Sequence, residues 1–285
     1  MQKNIENYYD LLLYMDLSLN NNTNFNLIIF SHSDYKYLWN IIEDSISKLQ
    51  DLNPIFVSNK NSVYDKPKGF LKYIEYDDNL CYAKRWTYDI IPNLLSSHIL
   101  VVHDTQLIVG CDVNKIQELV QLIKINDIDR CSLNVFKGSD ILHDSIRSNL
   151  QLCNLNKNVK GNTITPYDVC PSIWKVTSFL KLWNTFNNES YHQSEQNNNV
   201  QNYCKTIKCY GIQKTNDKIY YCLGRPYRYF FKILFITIKG QIPFPKEVFM
   251  DMLPQINEIY EKYYNDLKDV KINNSYQSIL NCKPL

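Results

Sequence analysis

Glycine is scarce in this sequence, at 7 of 285 residues. No G-x-x-x-x-G-K-[ST] loop occurs and no G-x-G-x-x-G follows the first apolar run. Those absences argue against P-loop ATPases and dinucleotide dehydrogenases, whose phosphate loops need glycine for close backbone approach. The 9 cysteines include no C-x-x-C pair, so no zinc spacing emerges, and free thiols in a reducing compartment are expected. Charge of one sign is not in excess: the formal net charge is +2, without the basic stripe of a nucleic-acid binder. No stretch approaches the ~20 apolar residues that span a bilayer. "MQKNIENYYDLLLYMDL" lacks the apolar core of a signal peptide. A soluble, cytoplasmic protein with no nucleic-acid partner and no membrane span is the expectation. The 5 histidines, among them His98, His143 and His192, form no triad or H-E-x-x-H motif.

Hydrophobic residues make up 45% and charged residues 21%, an ordinary globular balance. Strand and helix patterns alternate through the first two thirds. "FNLIIFSHSD" reads as a buried parallel strand, and Leu38, Ile41, Ile42, Ile46 and Leu49 then repeat at helical spacing. "NPIFVSN" and "GFLKYIEY" are the next strands. "NLCYAKRWTYDIIPNLL" reads as a helix that Pro92 must kink or end. "SHILVVHD" is a fourth strand. Ile116, Leu119, Val120 and Ile123 form another stripe, capped by Asp112, and "DRCSLNVF" is a fifth strand. This succession predicts an α/β fold with a mostly parallel sheet covered on both faces.

From about residue 136 the pattern loosens. "PSIWKVTSFLKLWNTF" looks helical, with Trp174, Phe179, Leu182 and Phe186 in phase. "NNESYHQSEQNNN" reads as a polar loop. "CYGIQKTNDKIYYCL" reads as a hairpin turning at Asn216–Asp217. A late strand "FKILFITIKG" precedes a C-terminal helix that starts at Pro254 and turns Ile256, Ile259, Tyr260 and Tyr263 inward. With no repeat and no linker, one domain over 1–285 is expected.

Ligands of open α/β sheets sit at the carboxyl ends of strands, where the strand order reverses. The residues to examine are therefore Ser31 to Asp34, Ser58–Asn59, Tyr76 to Asp78 and His103–Asp104. A carboxylate ending a buried strand can hold Mn²⁺ or Mg²⁺ and through it a diphosphate; the alternative for Asp104 is a turn or cap aspartate. Trp174 and Trp183 offer surfaces for a sugar or, at helical spacing, core packing.

The stretch "YAKRW…IIPNLLSSHILVVHDTQLIVGCDVNKIQELVQLI" resembles the centre of GT-A-type, family 2-like glycosyltransferases, where a basic helix precedes a strand ending in an acidic element. "NLIIFSHSD" resembles their opening strand, and "TPYDVCPSIWKVTSFLKLWNTF…YHQSEQ" their acceptor region. The resemblance covers roughly residues 25–240. It implies a GT-A-like, Rossmann-like sheet, with a nucleotide-sugar-binding half over about 20–135 and an acceptor half over about 136–285. It further implies transfer from a UDP- or GDP-sugar to a glycan or glycoprotein. Ser31, His32, Asp34 and Asn59 would line the nucleoside. Asp104, with or without Mn²⁺ or Mg²⁺ and helped by His103, would hold the diphosphate, with Lys84 and Arg85 as the cationic alternative. Glu195 is the first candidate for the base, Asp168 the second, and Trp174 the acceptor platform. One departure is plain: His103–Asp104–Thr105 carries one carboxylate where a full D-x-D carries two. A catalytically inactive sugar-binding or assembly protein of the same fold is the alternative. The composition also resembles that of large DNA viruses, some of which encode cytoplasmic glycosylation enzymes.

Overall fold

The computed structural model describes residues 25–60, 65–143, 150–157, 166–186, 191–215, 219–222, 225–228 and 230–235, with positions 241–242, 258, 261–262 and 271–272. The N-terminal helix, the Asn216–Asp217 turn, the end of the late strand, and Pro254, Ile256, Ile259, Tyr260 and Tyr263 lie outside the described residues.

The strands are β1 (Phe25–Phe30), β2 (Ile55–Asn59), β3 (Lys72–Tyr76), β4 (His98–His103), β5 (Gln106–Cys111), β6 (Arg130–Phe136), β7 (Ile141–His143), β8 (Gln151–Asn154), β9 (Ser172–Lys175), β10 (Cys209–Gln213), β11 (Ile219–Cys222), β12 (Arg225–Arg228) and β13 (Phe231–Phe235). The main sheet runs β3-β2-β1-β4-β9-β6-β10-β8-β7. Its first four strands are parallel. β9 then enters antiparallel between β4 and β6, and β10 returns parallel to β6. The expected α/β fold is thus present, mixed beyond β4.

Both faces of β1 are buried because helices cover both. Leu27 and Ile29 join Leu100 and Val102 on one face. There they meet Ile41, Ile42 and Ile46 of α1 (Trp39–Ile46) and the Ile116–Ile123 stripe of α3 (Val113–Ile125). Ile28 and Phe30 join Ile99 and Val101 on the other. That face is covered by α2 (Tyr82–Lys84), which runs on as a π-turn (Arg85–Ile90), and by α4 (Val176–Thr185). Trp86, Phe179 and Trp183 fill the space, at roughly 1.5–3 kcal/mol for each large apolar side chain buried. Pro92 falls in a last 3-10 turn (Ile91–Asn93), after which Leu94 is extended, so the helix ends there.

Three elements differ from the sequence reading. Trp174 lies in β9, not in a helix; α4 begins after Lys175, which serves as its N-cap. The polar loop contains α5 (Tyr191–Ser194) and the start of α6 (Asn198–Thr206), where Asn197 Oδ1 caps the backbone N–H groups of Asn199 and Val200. β10 does not hairpin with β11. It lies between β6 and β8, and β11 pairs with β12. Gly211 permits this, since a Cβ there would stand 2.2 Å from the Phe136 ring. Among the described residues no helix is long and apolar enough to cross a membrane.

Candidate functional site

Register brings the strand ends together. Phe30 lies opposite Val57 of β2 and His103 of β4, and Asn59 lies opposite Tyr76 of β3. Ser31, Asn59, Tyr76 and His103 therefore share one sheet edge, the carboxyl edge. β1 is flanked by β2 on one side and β4 on the other, so the strand order reverses here, the usual place of a ligand crevice in open α/β sheets.

Asp104 is the centre of a buried network. Its Oδ2 accepts from Ser31 Oγ at 2.7 Å and from the His32 backbone N–H at 3.2 Å. Ser31 Oγ in turn accepts from Trp39 Nε1 at 2.9 Å. Tyr76 donates its hydroxyl to the Ser31 carbonyl at 2.8 Å. Asn59 holds the next residue: its Oδ1 accepts from Ser33 N–H at 2.8 Å and its Nδ2 donates to Ser33 Oγ at 3.0 Å. Asp104 is 6% exposed. Burial pushes its carboxyl up to about 6, against the pull of the Ser31, His32 and Thr105 hydrogen bonds.

That geometry bears on the expected cation. Mn²⁺ and Mg²⁺ need ionised, accessible oxygens and several of them. Here one carboxylate is buried, and Ser31, His32 and Thr105 already donate to it. Among the described residues no group of three His, Cys, Asp or Glu side chains is placed to share an ion. The donor set does not fit a metal at Asp104, whose place is that of a brace for the 31–34 loop.

A more open polar group lies beside it. His32 Nδ1 accepts from Asp34 N–H at 3.1 Å, which leaves the ring proton on Nε2, 3.0 Å from Asp78 Oδ2. Arg85 Nη2 pairs with Asp78 Oδ1 at 2.8 Å, and its Nε donates to the Leu80 carbonyl at 2.8 Å. The guanidinium carbon stands 4.7 Å from the Tyr76 ring centroid, while Phe30 stacks on that ring at 5.2 Å. Arg85 Nη2 also donates to the Asp78 backbone carbonyl at 2.9 Å. Lys84 is half-buried and Asp34 is exposed. The His103 ring is buried against Phe30 and Tyr82.

The acceptor-side candidates converge on residues 166–172. Asp168 Oδ1 is 2.7 Å from Nη2 of Arg130, whose side chain is fully buried, and Asp168 Oδ2 accepts from Asn134 Nδ2 at 3.1 Å. Arg130 also donates to the Pro166 carbonyl and to Ser172 Oγ. Asp168 thus neutralises a buried cation, a different task from taking a proton. Glu195, half-buried, accepts the Val169 N–H on Oε1 at 2.7 Å. Trp174 does not offer a platform. It is 2% exposed, packed on Tyr167 and Phe179 with Arg130 over its ring. A sugar would reach it only through the core.

Trp39 and Gln106, whose Oε1 accepts from the His103 backbone N–H at 3.1 Å, are members of this arrangement that the sequence pattern did not single out. Gln106 carried one signal, a polar side chain opening an otherwise apolar strand directly after Asp104. No family model matches the chain, and no curated protein matches it. Among solved structures, S. aureus TarS 1–349 aligns over 88% of this chain and 68% of its own, at 8% identity and a TM-score of 0.39. UDP-glucose pyrophosphorylase, complexed with UDP-glucose or apo, aligns over 66% of this chain and 90% of its own, at 8% identity and a TM-score of 0.37.

Proposed function

We propose that the chain is a glycosyltransferase that takes a sugar from a UDP- or GDP-sugar and passes it to a glycan or glycoprotein acceptor. One observation carries this reading: Ser31, His32, Asn59, Tyr76, Arg85 and Asp104 converge at the carboxyl edge of four parallel strands, where their order reverses. The nucleotide lies across the 31–34 loop, which Asp104 and Asn59 hold in shape. Arg85, held by Asp78 and Leu80, presents its remaining donors to the diphosphate, and a guanidinium suits phosphate oxygens.

The acceptor hydroxyl attacks the anomeric carbon as the bond from that carbon to the diphosphate oxygen breaks. The hydroxyl proton passes to the Glu195 carboxylate. The electron pair leaves with the diphosphate, whose charge Arg85 offsets. No step runs through a metal.

Thermal shift against UDP-glucose and GDP-mannose tests the reading. A ligand at 100 times its Kd stabilises the folded state by about 2.7 kcal/mol. Arg85→Ala is expected to weaken nucleotide-sugar binding by about tenfold or more, the worth of a charge-assisted hydrogen bond. Glu195→Gln is expected to keep donor binding and lose transfer. Wild-type protein that ignores every nucleotide sugar refutes the reading. A second reading, a nucleotide-sugar-binding protein without turnover, is favoured by one fact: the sole acidic residue of the expected D-x-D element is buried and engaged. Donor binding without transfer to any glycan acceptor would select it.

A further inference from the structure

Gln106 opens β5 two residues after Asp104 and is 2% exposed. Both ends of its carboxamide are used. Oε1 accepts from the His103 backbone N–H at 3.1 Å, and Nε2 donates to the Val169 carbonyl at 3.1 Å. Val169 in turn donates its own N–H to Glu195 Oε1 at 2.7 Å. A continuous run of hydrogen bonds therefore links the tip of β4, at the donor edge, to the carboxylate on the acceptor side. Gln201 grips the same segment from beyond. Its Nε2 donates to the carbonyls of Tyr167 at 2.9 Å and Glu195 at 2.6 Å, and its Oε1 accepts from Tyr167 N–H at 3.1 Å.

A buried amide is costly unless both its ends are bonded. An apolar side chain would fill the same buried space without that demand. What only an amide supplies is one donor and one acceptor at a fixed separation. Glutamate at this position could accept from His103, but ionised it has nothing to donate to Val169. We propose that Gln106 is a positioning residue that sets Glu195 relative to the donor edge by tying the His103 N–H to the Val169 carbonyl. The proposal rests on the transferase reading in one respect, the role of Glu195 as base.

The test uses the full chain with Gln106→Met, close in shape but without the donor and acceptor, and Gln106→Glu, which keeps the acceptor alone. Amide hydrogen exchange is followed by NMR in both. Exchange at Val169 is expected to rise about tenfold in each, while Leu27 and Leu100 in the sheet stay as in wild type. In turnover of UDP-glucose and GDP-mannose, kcat is expected to fall about tenfold with donor KM unchanged, since a displaced base costs the transition state only. Unchanged Val169 exchange in both variants overturns the proposal. So does a raised donor KM with kcat intact, the result of loosening the β4 tip alone. If wild-type protein neither binds nor turns over either nucleotide sugar, the transferase reading falls, and the exchange measurement decides the coupling by itself.

Discussion

The carboxylate of Asp104 titrates against its own burial. Its pKa stands at about 6, against 3.8 for the ordinary side chain, chiefly because the buried site disfavours charge. Between those two values the folded protein binds the proton and the unfolded chain does not. Stability from this group therefore falls as pH rises from about 4 to about 6 and is lowest above that range. At about 1.4 kcal/mol per pKa unit, the difference is on the order of 3 kcal/mol at most. Asp104→Asn, neutral at every pH, is expected to be at least as stable as wild type at pH 7 and to lack this slope. Urea unfolding of both proteins at pH 4.5 and pH 7 measures it. A gap between them that is the same at both pH values would remove burial as the cause. Asp168 sits in a different environment: its carboxylate pairs with the fully buried Arg130 guanidinium at 2.7 Å, so removing either partner would leave the other's charge uncompensated.

Helices differ in how their ends are held. α3 has a side-chain cap, Asp112 Oδ1 accepting from Lys115 N–H at 3.2 Å, whereas α1 has none and grows out of a 3-10 turn, Ser33–Leu38. Asp112→Ala is expected to cost about 1 kcal/mol, read as a lower urea midpoint at unchanged slope; a shift under about 0.3 kcal/mol would mean that packing alone sets that helix start. α3 was legible at its start and along its face: cap and apolar stripe follow from local spacing, and Ile116, Leu119, Val120 and Ile123 are all buried. α6 was not, because its buried face consists of Val200, Gln201 and Cys204 in an Asn-rich run. A stripe that thin gives no periodic signal, and the decisive feature, the double hydrogen bond to Asn197, is geometric. Trp174 misled for a related reason. Its spacing to Phe179 is explained as well by the last residues of a strand running straight into a helix as by one continuous helix.

Across the whole molecule, what the sequence conceals is pairing at long range. The parallel set β3-β2-β1-β4 could be anticipated, since each of its strands ends an apolar run with polar residues, and those ends form the candidate site. β9 could not. It lies 71 or more residues from its β4 partners, Ile173 sitting opposite Leu100 and Cys131, and no local pattern encodes such a contact. Its position has a consequence for stability. β9 is the strand through which β4 and β6 belong to one sheet, so the parts on either side of it are expected to unfold together. Ile173 is fully buried there, and Ile173→Ala is expected to cost about 2–5 kcal/mol. Two single-tryptophan proteins make the test, one retaining Trp39 of α1 and the other Trp183 on the opposite face of the sheet. Both reporters should share one urea midpoint, and Ile173→Ala should lower both by the same amount. A variant in which only one reporter moves would show that β9 does not join the two parts, and the donor edge would then be stable without the segment that carries Glu195.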